Sequence, residues 1–493
     1  MKKRLHGLSD IRRYFHRAEL PTYFISATPF NLLGMDEWVR GFTFISYIDC
    51  FDGAHPNVFV PAERPHPVFE SIEEINNYLL RHPEVEALIE RNAPRGRGHR
   101  GNAVFLFFDE ETEELCEELG LRVCFPAAKL RERVDNKLMT TRIGNEAGVK
   151  SVPNALAKVK DWNNLRAIAR KHRLGEQLVV QTAFGDSGHT TFFISSERDY
   201  RKYAEEIEAE REVKIMKRVR CRGSALEACV TRHGTIVGPL MTELVGFKEL
   251  TPYKGGWCGN EVFAEAFPQS VRDFARRSAF KIGAALRKRH YRGYFEVDFL
   301  SDLDSGDVYL GEMNPRITGA SSMTNLAAFA HADAPLFLFH LLEYSGVPFD
   351  LDVEDVNRRW SDADNIDDWS QLVIKHTGTD ITPIAAAPRS GVWELAPDGS
   401  VTFIRPQTHR RTVQRENRAF FLRIAKQGDW FYEGADLGIL VTPGRLMTRG
   451  FRLTPRAKAW IHGIKAHYRG GRANATQRAE AERVAEVAGF KFL

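Results

Sequence analysis

The sequence predicts a multidomain α/β protein, and three observations lead to that class. Short apolar runs alternate with amphipathic stretches in the first part of the chain, as in an open sheet covered by helices. The length of 493 residues corresponds to about three domains at roughly 150 residues each. Apolar residues make up 43% of the chain and charged residues 27%, a composition that supports folded cores and excludes a disordered protein.

Charge and cysteine usage indicate which partners and which cellular compartment to expect. Lys and Arg number 69 against 65 Asp and Glu, a net charge of +4, and this lacks the basic excess of a protein that coats nucleic acid. The 6 cysteines show no CxxC pairing, which indicates reduced thiols. The basic amino terminus precedes no apolar run, and no stretch approaches eighteen continuous apolar residues. We therefore expect a soluble cytoplasmic protein with neither a nucleic-acid nor a membrane partner.

Residues 1–133 are expected to form an open α/β domain. An acidic amphipathic stretch predicts a helix that Gly120 ends. Apolar runs on either side of it predict buried strands. The predicted strands cover 23–26, 42–46, 103–108 and 122–125, and the predicted helix covers 110–119.

Two apolar runs joined by the polar turn 301–306 predict an antiparallel hairpin over residues 294–316. Side chains alternate between the faces of a strand with a period of two residues. One face of the first strand therefore carries Glu296, Asp298 and Leu300, and one face of the second carries Leu310, Glu312 and Asn314.

Pairing across this hairpin would bring Asp298 beside Glu312 and Asn314. Two carboxylates repel each other unless a cation lies between them, and hard oxygen ligands suit Mg²⁺. Arg316 follows at once, where a guanidinium could hold a developing phosphate or carboxylate charge. We predict a metal site at Asp298, Glu312 and Asn314 with Arg316 as the catalytic residue; a surface hairpin with scattered acids is the alternative.

The stretch Glu-Met-Asn-Pro-Arg at 312–316 resembles the ExNxR element of ATP-grasp enzymes, which place two Mg²⁺ ions between nucleotide phosphates. Residues 134–137, followed by helix-forming residues up to Ala-Gly-Val at 147–149, resemble the opening element of that family. Its lysine reaches the phosphates, so the resemblance assigns that role to Lys137. It also implies ATP and Mg²⁺ as cofactors, with Mn²⁺ as the alternative ion.

A strand at 178–181 leads into a Gly-rich turn that resembles the flexible phosphate loop of ATP-grasp proteins. The resemblance implies nucleotide contacts from Gly185, Ser187, Gly188 and His189, although a simple loop histidine is equally compatible with His189. The family usually carries lysine where this chain has Gln181. Glutamine donates a hydrogen bond without a charge, so we expect nucleotide affinity or its metal dependence to differ.

Residues 214–219 resemble the strand that crosses between the two halves of the grasp, where the family holds adenine. The nucleotide contacts implied there are Met216, Lys217 and Val219. Glu227 matches a family glutamate at the edge of the nucleotide, and a solvent-facing strand acid is the alternative for it.

The resemblance covers about residues 134–346 and implies an α+β ATP-grasp core in two parts. We place a lid subdomain at 134–218 and a subdomain with the metal site at 219–350, preceded by the α/β domain 1–133. Residues 351–493 are predicted to be a C-terminal α+β region, with an acidic linking stretch at 352–369 and a helix at 474–488. This region either completes the substrate pocket or forms the surface of a homodimer.

The family transfers the γ-phosphoryl group of ATP to a carboxylate, and a nucleophile attacks the acyl phosphate. Residues 263–268 and 291–293 resemble biotin carboxylases, but 317–325 replace their Gln-Val-Glu-His segment with a small, hydroxyl-rich run. That run looks more like the anion or amino-acid pocket of L-amino-acid and peptide ligases. We expect a carboxylate–amine ligase that acts on an amino acid or small peptide and releases ADP and phosphate.

Two alternatives stay open. One is an ATP-dependent carboxylation of the biotin-carboxylase kind. The other is an ATP-binding scaffold with weakened chemistry, whose only support is Gln181.

Overall fold

The computed structural model describes residues 4–62, 69–96, 98–184, 190–326, 334–409, 413–472 and 479. Helices and strands are mixed along the whole described chain, which confirms the α/β class. Three sheets carry the architecture, with five, four and ten strands, and we call them the N-terminal sheet, the lid sheet and the central sheet.

The N-terminal sheet is entirely parallel, as the predicted open α/β domain requires. Its middle strand is buried on both faces, so its sequence is a continuous apolar run rather than an alternating one. In spatial order the strands are Val58–Phe59, Phe42–Ser46, Thr22–Ser26, Gly101–Phe105 and Leu121–Val123. The helices of this part are Gly7–His16, Ile72–Leu80, Pro83–Asn92, Glu110–Glu118 and Ala128–Val134, with 3₁₀ turns at Phe30–Leu32 and Met35–Glu37.

The lid sheet is antiparallel and has its own apolar core. The strand Val213–Lys217 lies in its interior, between the strands on either side, so both edges of this strand are hydrogen-bonded. The spatial order is Asn154–Ala157, Val213–Lys217, Leu178–Gln181 and Thr191–Ile194. The helix Lys137–Glu146 precedes this sheet, and the helices Trp162–Lys171, Glu197–Arg201 and Ala204–Ala209 belong to it in sequence.

The central sheet is antiparallel throughout. Its strands, in spatial order, are Val308–Asn314, Gly293–Asp302, Cys221–Thr231, Gly234–Val245, Trp257–Val262, Trp369–Lys375, Asp436–Pro443, Arg418–Arg423, Gly391–Leu395 and Val401–Arg405. The helices after the lid are Gln269–Lys288, Ser321–Leu326, Leu336–Tyr344, Val353–Ser361 and Pro455–Ala466, with 3₁₀ turns at Ala264–Ala266 and Ala363–Asn365. Small sheets pair Leu5–His6 with Phe349–Asp350, and Thr382–Ala386 with Trp430–Phe431 and Arg469–Gly470.

The C-terminal region shares the central sheet with the residues before it. Trp257–Val262 pairs directly with Trp369–Lys375, in the register Gly259 opposite Leu372. Gly259 has a φ of 134°, and a Cβ there would lie 2.1 Å from the carbonyl oxygen of Gln371, so only glycine permits this approach. Hydrogen bonding is therefore continuous across the predicted boundary between 350 and 351.

One expectation for this region is wrong. Residues 352–369, predicted to be a linking stretch, contain the helix Val353–Ser361. Its acidic residues lie mostly on the solvent side, while Val356 and Trp360 are buried in the large core that also holds the N-terminal sheet. The apolar face of this short helix was hidden by its acidic composition. The helix predicted at 474–488 lies outside the described residues.

Five of the 6 cysteines are buried, and Cys221 is exposed. Every cysteine is free, and burial raises the pKa of the Cys50 thiol to about 12, as expected for a packed, unreactive group. Within the described part of the chain, each helix is too short or too polar to cross a bilayer.

His340 joins the N-terminal part of the chain to the central sheet. Its Nδ1 accepts the backbone N–H of Tyr294 at 3.0 Å, so its Nε2 carries the proton and donates to the carbonyl oxygen of Cys124 at 2.6 Å. Burial lowers the pKa of this imidazole to about 3. The folded protein thus holds a neutral histidine with both nitrogens bonded.

Acidification is therefore expected to destabilise the protein through His340. Because its pKa is lower in the folded state than the value of about 6.5 in an unfolded chain, stability is lost as the pH falls below that value. At pH 4.5 the loss is about 3 kcal/mol of unfolding free energy. Urea unfolding at pH 7 and 4.5 measures it. In His340→Gln the difference between the two pH values should shrink by this amount, and in the exposed His462→Gln it should not.

Candidate active site

The predicted hairpin is present, and it brings the predicted metal ligands together. Gly293–Asp302 pairs with Val308–Asn314 in the register Asp298 opposite Glu312 and Glu296 opposite Asn314. The Asn314 Nδ2 donates to Asp298 Oδ2 at 3.2 Å and to Glu296 Oε2 at 3.1 Å. The pairing slips by one residue after Asp298, so that Phe299 lies opposite Leu310 and Gly311 has no partner. Strict alternation therefore holds only on one side of this bulge.

Two further carboxylates join this cluster, and sequence analysis did not assign either as a ligand. Glu296 was predicted on the correct face. Glu243 comes from Gly234–Val245, with the strand Cys221–Thr231 between it and the hairpin. It reaches across because Gly223 has no side chain there: a Cβ at Gly223 would lie 2.5 Å from Glu243 Oε2. No local sequence signal identifies Glu243, since its placement depends on the strand order.

The electrostatics of the four carboxylates indicate a cation site. Burial, and then the charges of Glu243, Glu296 and Glu312, raise the pKa of Asp298 well above its usual range. Burial and Glu312 raise the pKa of Glu243 to about 7. Among the described residues, Asp298 Oδ1 is buried without a hydrogen-bond partner. Crowded, hard oxygen donors with one unpaired carboxylate oxygen fit a divalent ion such as Mg²⁺.

The amide of Asn314 differs in orientation from the prediction. Its nitrogen faces the two carboxylates, because an N–H donor is the group that carboxylate oxygens attract. Its oxygen, predicted to bind the metal, instead accepts from Arg316 Nη2 at 2.9 Å.

Arg316 is fixed from three sides. Besides Asn314, its Nε donates to Asp135 Oδ2 at 3.2 Å, and its guanidinium carbon lies 4.3 Å from the centre of the Phe107 ring. The charges of Asp135, Glu296 and Glu312 outweigh the effect of burial and raise the pKa of Arg316. The arginine is therefore a permanent, oriented cation at the end of the acidic cluster.

The lid contributes Lys137 and Gln181. Lys137 begins its helix, its backbone N–H donates to the Ala183 carbonyl oxygen, and its Nζ lies 3.6 Å from Glu312 Oε1. Gln181 ends its strand, and its Nε2 donates to Thr191 Oγ1 at 3.1 Å. Gly185, Ser187, Gly188 and His189 lie outside the described residues.

The crossing strand contributes to a small apolar cluster. Met216 is buried in it, and half-buried Val219 and Leu300 pack against it. Lys217 points its side chain to solvent, and its backbone N–H donates to the carbonyl oxygen of Pro153 at 3.0 Å. The buried members of this apolar cluster are Val152, Val179, Met216 and Tyr309.

Glu227 lies beside the cluster but is already bonded. It is fully buried and accepts hydrogen bonds from Ser321 Oγ at 2.5 Å, Tyr294 OH at 2.6 Å and Thr318 Oγ1 at 3.3 Å, and also from the Thr324 hydroxyl. Three hydroxyls of the run 317–325, predicted to form an anion pocket, thus hold this carboxylate. The contacts indicate a structural role for Glu227.

A cavity of about 250 Å³ opens between these elements. The N-terminal part lines one wall, Lys137 and Thr191 line another, and the hairpin with Glu243 and Trp257 forms the floor. Its lining includes Ile72, Leu106, Phe107, Lys137, Thr191, Glu243, Trp257, Glu296, Asp298, Glu312, Asn314, Arg316 and Thr318.

No protein-family model and no curated protein matches this sequence. Solved structures do match over nearly the whole chain. A biotin carboxylase from Campylobacter jejuni, in its β-γ-ATP complex, has 14% identity and a TM-score of 0.59, and the match covers 94% of this chain and 95% of that one. The biotin carboxylase domain of 2-oxoglutarate carboxylase from Hydrogenobacter thermophilus has 12% identity and a TM-score of 0.55, over 91% and 90%.

A third similar structure belongs to an enzyme of another name. N5-carboxyaminoimidazole synthase from Aspergillus clavatus has 12% identity and a TM-score of 0.53, with 94% of this chain and 100% of that one covered. The fold of this chain is thus the ATP-grasp fold. Biotin carboxylases and N5-carboxyaminoimidazole synthase share this fold, which confirms the ATP-grasp resemblance at the level of fold.

Proposed function

We propose that this protein is an ATP-dependent carboxylate–amine ligase that forms an acyl phosphate and releases ADP and phosphate. The observation that carries the proposal is the meeting of Asp298, Glu312 and Asn314 with Arg316 and Lys137 around one cavity. These are the groups that phosphoryl transfer to a carboxylate needs: oxygen ligands for a metal and fixed cations for the phosphates.

The nucleotide is assigned by resemblance and charge. Adenine is assigned to the crossing strand, beside the apolar cluster around Met216 and Val219, on the family resemblance. From there the phosphates extend toward Lys137, with Gln181 as an uncharged donor. The family resemblance alone supports the phosphate contacts proposed for Gly185, Ser187, Gly188 and His189. Lys217 remains a proposed nucleotide contact through its backbone, because its side chain points to solvent.

The metal belongs at Asp298 and Glu312, with Glu296 and Glu243 close by. Mg²⁺ bound there would offset the charge of the β- and γ-phosphates. Arg316 lies where it can steady the acyl phosphate, because Asp135 and Phe107 hold its guanidinium in one orientation. Residues from the lid and the N-terminal part close over the cavity and would exclude water, which otherwise hydrolyses the intermediate.

Carboxylation is the second candidate, and the similar structures favour it. The Hydrogenobacter domain was solved with MgADP and bicarbonate, and the Aspergillus enzyme with ADP and 5-aminoimidazole ribonucleotide. Bicarbonate would take the place of the carboxylate. The ring nitrogen of biotin, or the amino group of 5-aminoimidazole ribonucleotide, would take the place of the amine. The Hydrogenobacter domain is also a dimer; a homodimer of this chain is a proposal that light scattering tests.

An assay of ADP, AMP and phosphate release tests the proposal. Purified protein with MgATP is given pooled amino acids and peptides, or bicarbonate with either biotin or 5-aminoimidazole ribonucleotide. ADP release that needs the amino-acid pool supports the ligase. Release that needs bicarbonate supports the carboxylation, and AMP release contradicts both. Glu312→Gln serves as the blank for contaminating ATPase.

A further inference from the structure

Lys214 is a buried cation that the proposed function does not use. It lies in the strand Val213–Lys217 and is 1% exposed. Among the described residues its ammonium has no hydrogen bond and no ion pair, and the charges that act on it are those of Glu312 and Lys137. Burial lowers its pKa to about 8. A buried ammonium without a close partner is unfavourable, so Lys214 is expected to destabilise the ligand-free protein.

The register places Lys214 at the phosphate end of the site. Lys214 is the cross-strand partner of Gln181, so the two side chains lie on one face with their Cβ atoms about 5 Å apart. Gln181 bonds to Thr191, which lines the cavity. Met216, in the apolar cluster, lies on the same face of the strand as Lys214 and two residues further on, a rise of roughly 7 Å. One strand thus carries both the proposed adenine contact and a lysine on which the charge of Glu312 acts.

We propose that Lys214 binds the polyphosphate of a nucleoside di- or triphosphate, supplying from the neighbouring strand the positive charge that Gln181 does not carry. This inference rests on the proposed nucleotide site. Before the nucleotide binds, Glu312 pairs with Lys137 alone, and its charge acts on Lys214 without an ion pair. The phosphates provide the partners that Lys214 lacks in the free protein.

Calorimetric titration with MgADP tests this in the full chain. Lys214→Met keeps the length of the side chain and removes the charge, so we expect binding about 10- to 100-fold weaker, as for the loss of a charge-assisted hydrogen bond. The same variant should keep or raise the thermal midpoint of the ligand-free protein, because a buried charge is gone. A purely structural lysine would lower it. Lys171→Met, on an exposed position of a lid helix, should match the wild type in both measurements.

Moving the charge across the strand pair is the sharper test. The double variant Gln181→Lys/Lys214→Met moves the ammonium from position 214 to position 181, its cross-strand partner. The MgADP affinity of this variant should recover to within about threefold of wild type. Gln181→Lys alone should gain less than threefold and lower the thermal midpoint, since two ammonium groups then oppose each other.

These measurements distinguish a failure of the proposed nucleotide site from a failure of the role proposed for Lys214. Wild-type protein that does not bind MgADP overturns the proposed function. Wild-type binding with an unchanged affinity in Lys214→Met overturns only the role of Lys214. If Lys214→Met does not fold, Gln181→Lys alone decides: a tenfold or larger gain in affinity overturns the role, and the absence of a gain supports it.

Discussion

Replacing Glu312 with glutamine is expected to reduce ADP release at saturating MgATP by at least about 10³-fold. A metal ion contributes several kcal/mol of charge stabilisation, and about 4 kcal/mol corresponds to that factor. Glu312 lies opposite Asp298 in the hairpin and 3.6 Å from Lys137, so it belongs to the proposed metal site and lies beside the proposed phosphate contact. Glutamine keeps the shape and one oxygen but loses the charge.

The same change should weaken the stabilisation of the protein by Mg²⁺. Glu312 raises the pKa of both Asp298 and Glu243, so its charge belongs to the mutually repelling group that a bound cation would neutralise. Added Mg²⁺ is therefore expected to raise the thermal midpoint of Glu312→Gln less than that of wild type. A matched control is Asp304→Asn, an exposed acid in the turn of the same hairpin. Full activity in Glu312→Gln would contradict the metal assignment.

The hairpin could be predicted from sequence because it is local. Its two strands are joined by a short turn, so alternation and pairing together place Asp298 against Glu312. Even the bulge at Gly311 leaves this register intact, since it falls on the far side of Asp298. The only error there concerns the amide of Asn314, whose orientation is decided by Arg316 and the carboxylates around it.

Glu243 and Lys214 could not be found in this way. Each reaches the site through strand neighbours that are distant in sequence: Glu243 across Gly223, and Lys214 beside Gln181. A charged residue inside an apolar strand gives the same sequence pattern whether its side chain faces solvent or a ligand. Glu227 was predicted as a nucleotide contact or a solvent-facing acid, and its hydrogen bonds could not be predicted either. Three of the four hydroxyls that donate to it come from residues 318–324, which a strand pattern does not connect to it.

The division into domains shows a similar limit. The C-terminal region was predicted to mix helices and strands, and strands such as Trp369–Lys375 and Asp436–Pro443 are present in it. That they extend the central sheet through Gly259 and Gln371 could not be predicted, because pairing between strands about 110 residues apart leaves no local pattern.

Arg316→Lys is expected to reduce turnover by about 10²- to 10³-fold, with MgADP affinity within about threefold of wild type. A loss of this size is typical when one donor to a developing charge is removed. Lysine keeps the positive charge, but a single ammonium cannot donate to Asp135 and Asn314 while also stacking on Phe107. The cation would therefore remain near the site without its orientation.

Arg445 provides the matched control for this variant. It too is a paired and stacked arginine, with its Nε 3.0 Å from Glu261 Oε1 and its guanidinium carbon 3.9 Å from the Phe263 ring centre, but it is absent from the lining of the cavity. Arg445→Lys should lose stability and keep kcat. If both variants lose turnover equally, the effect of Arg316 is structural. If only Arg316→Lys loses it while binding MgADP normally, the guanidinium acts on the reacting group and not on the nucleotide.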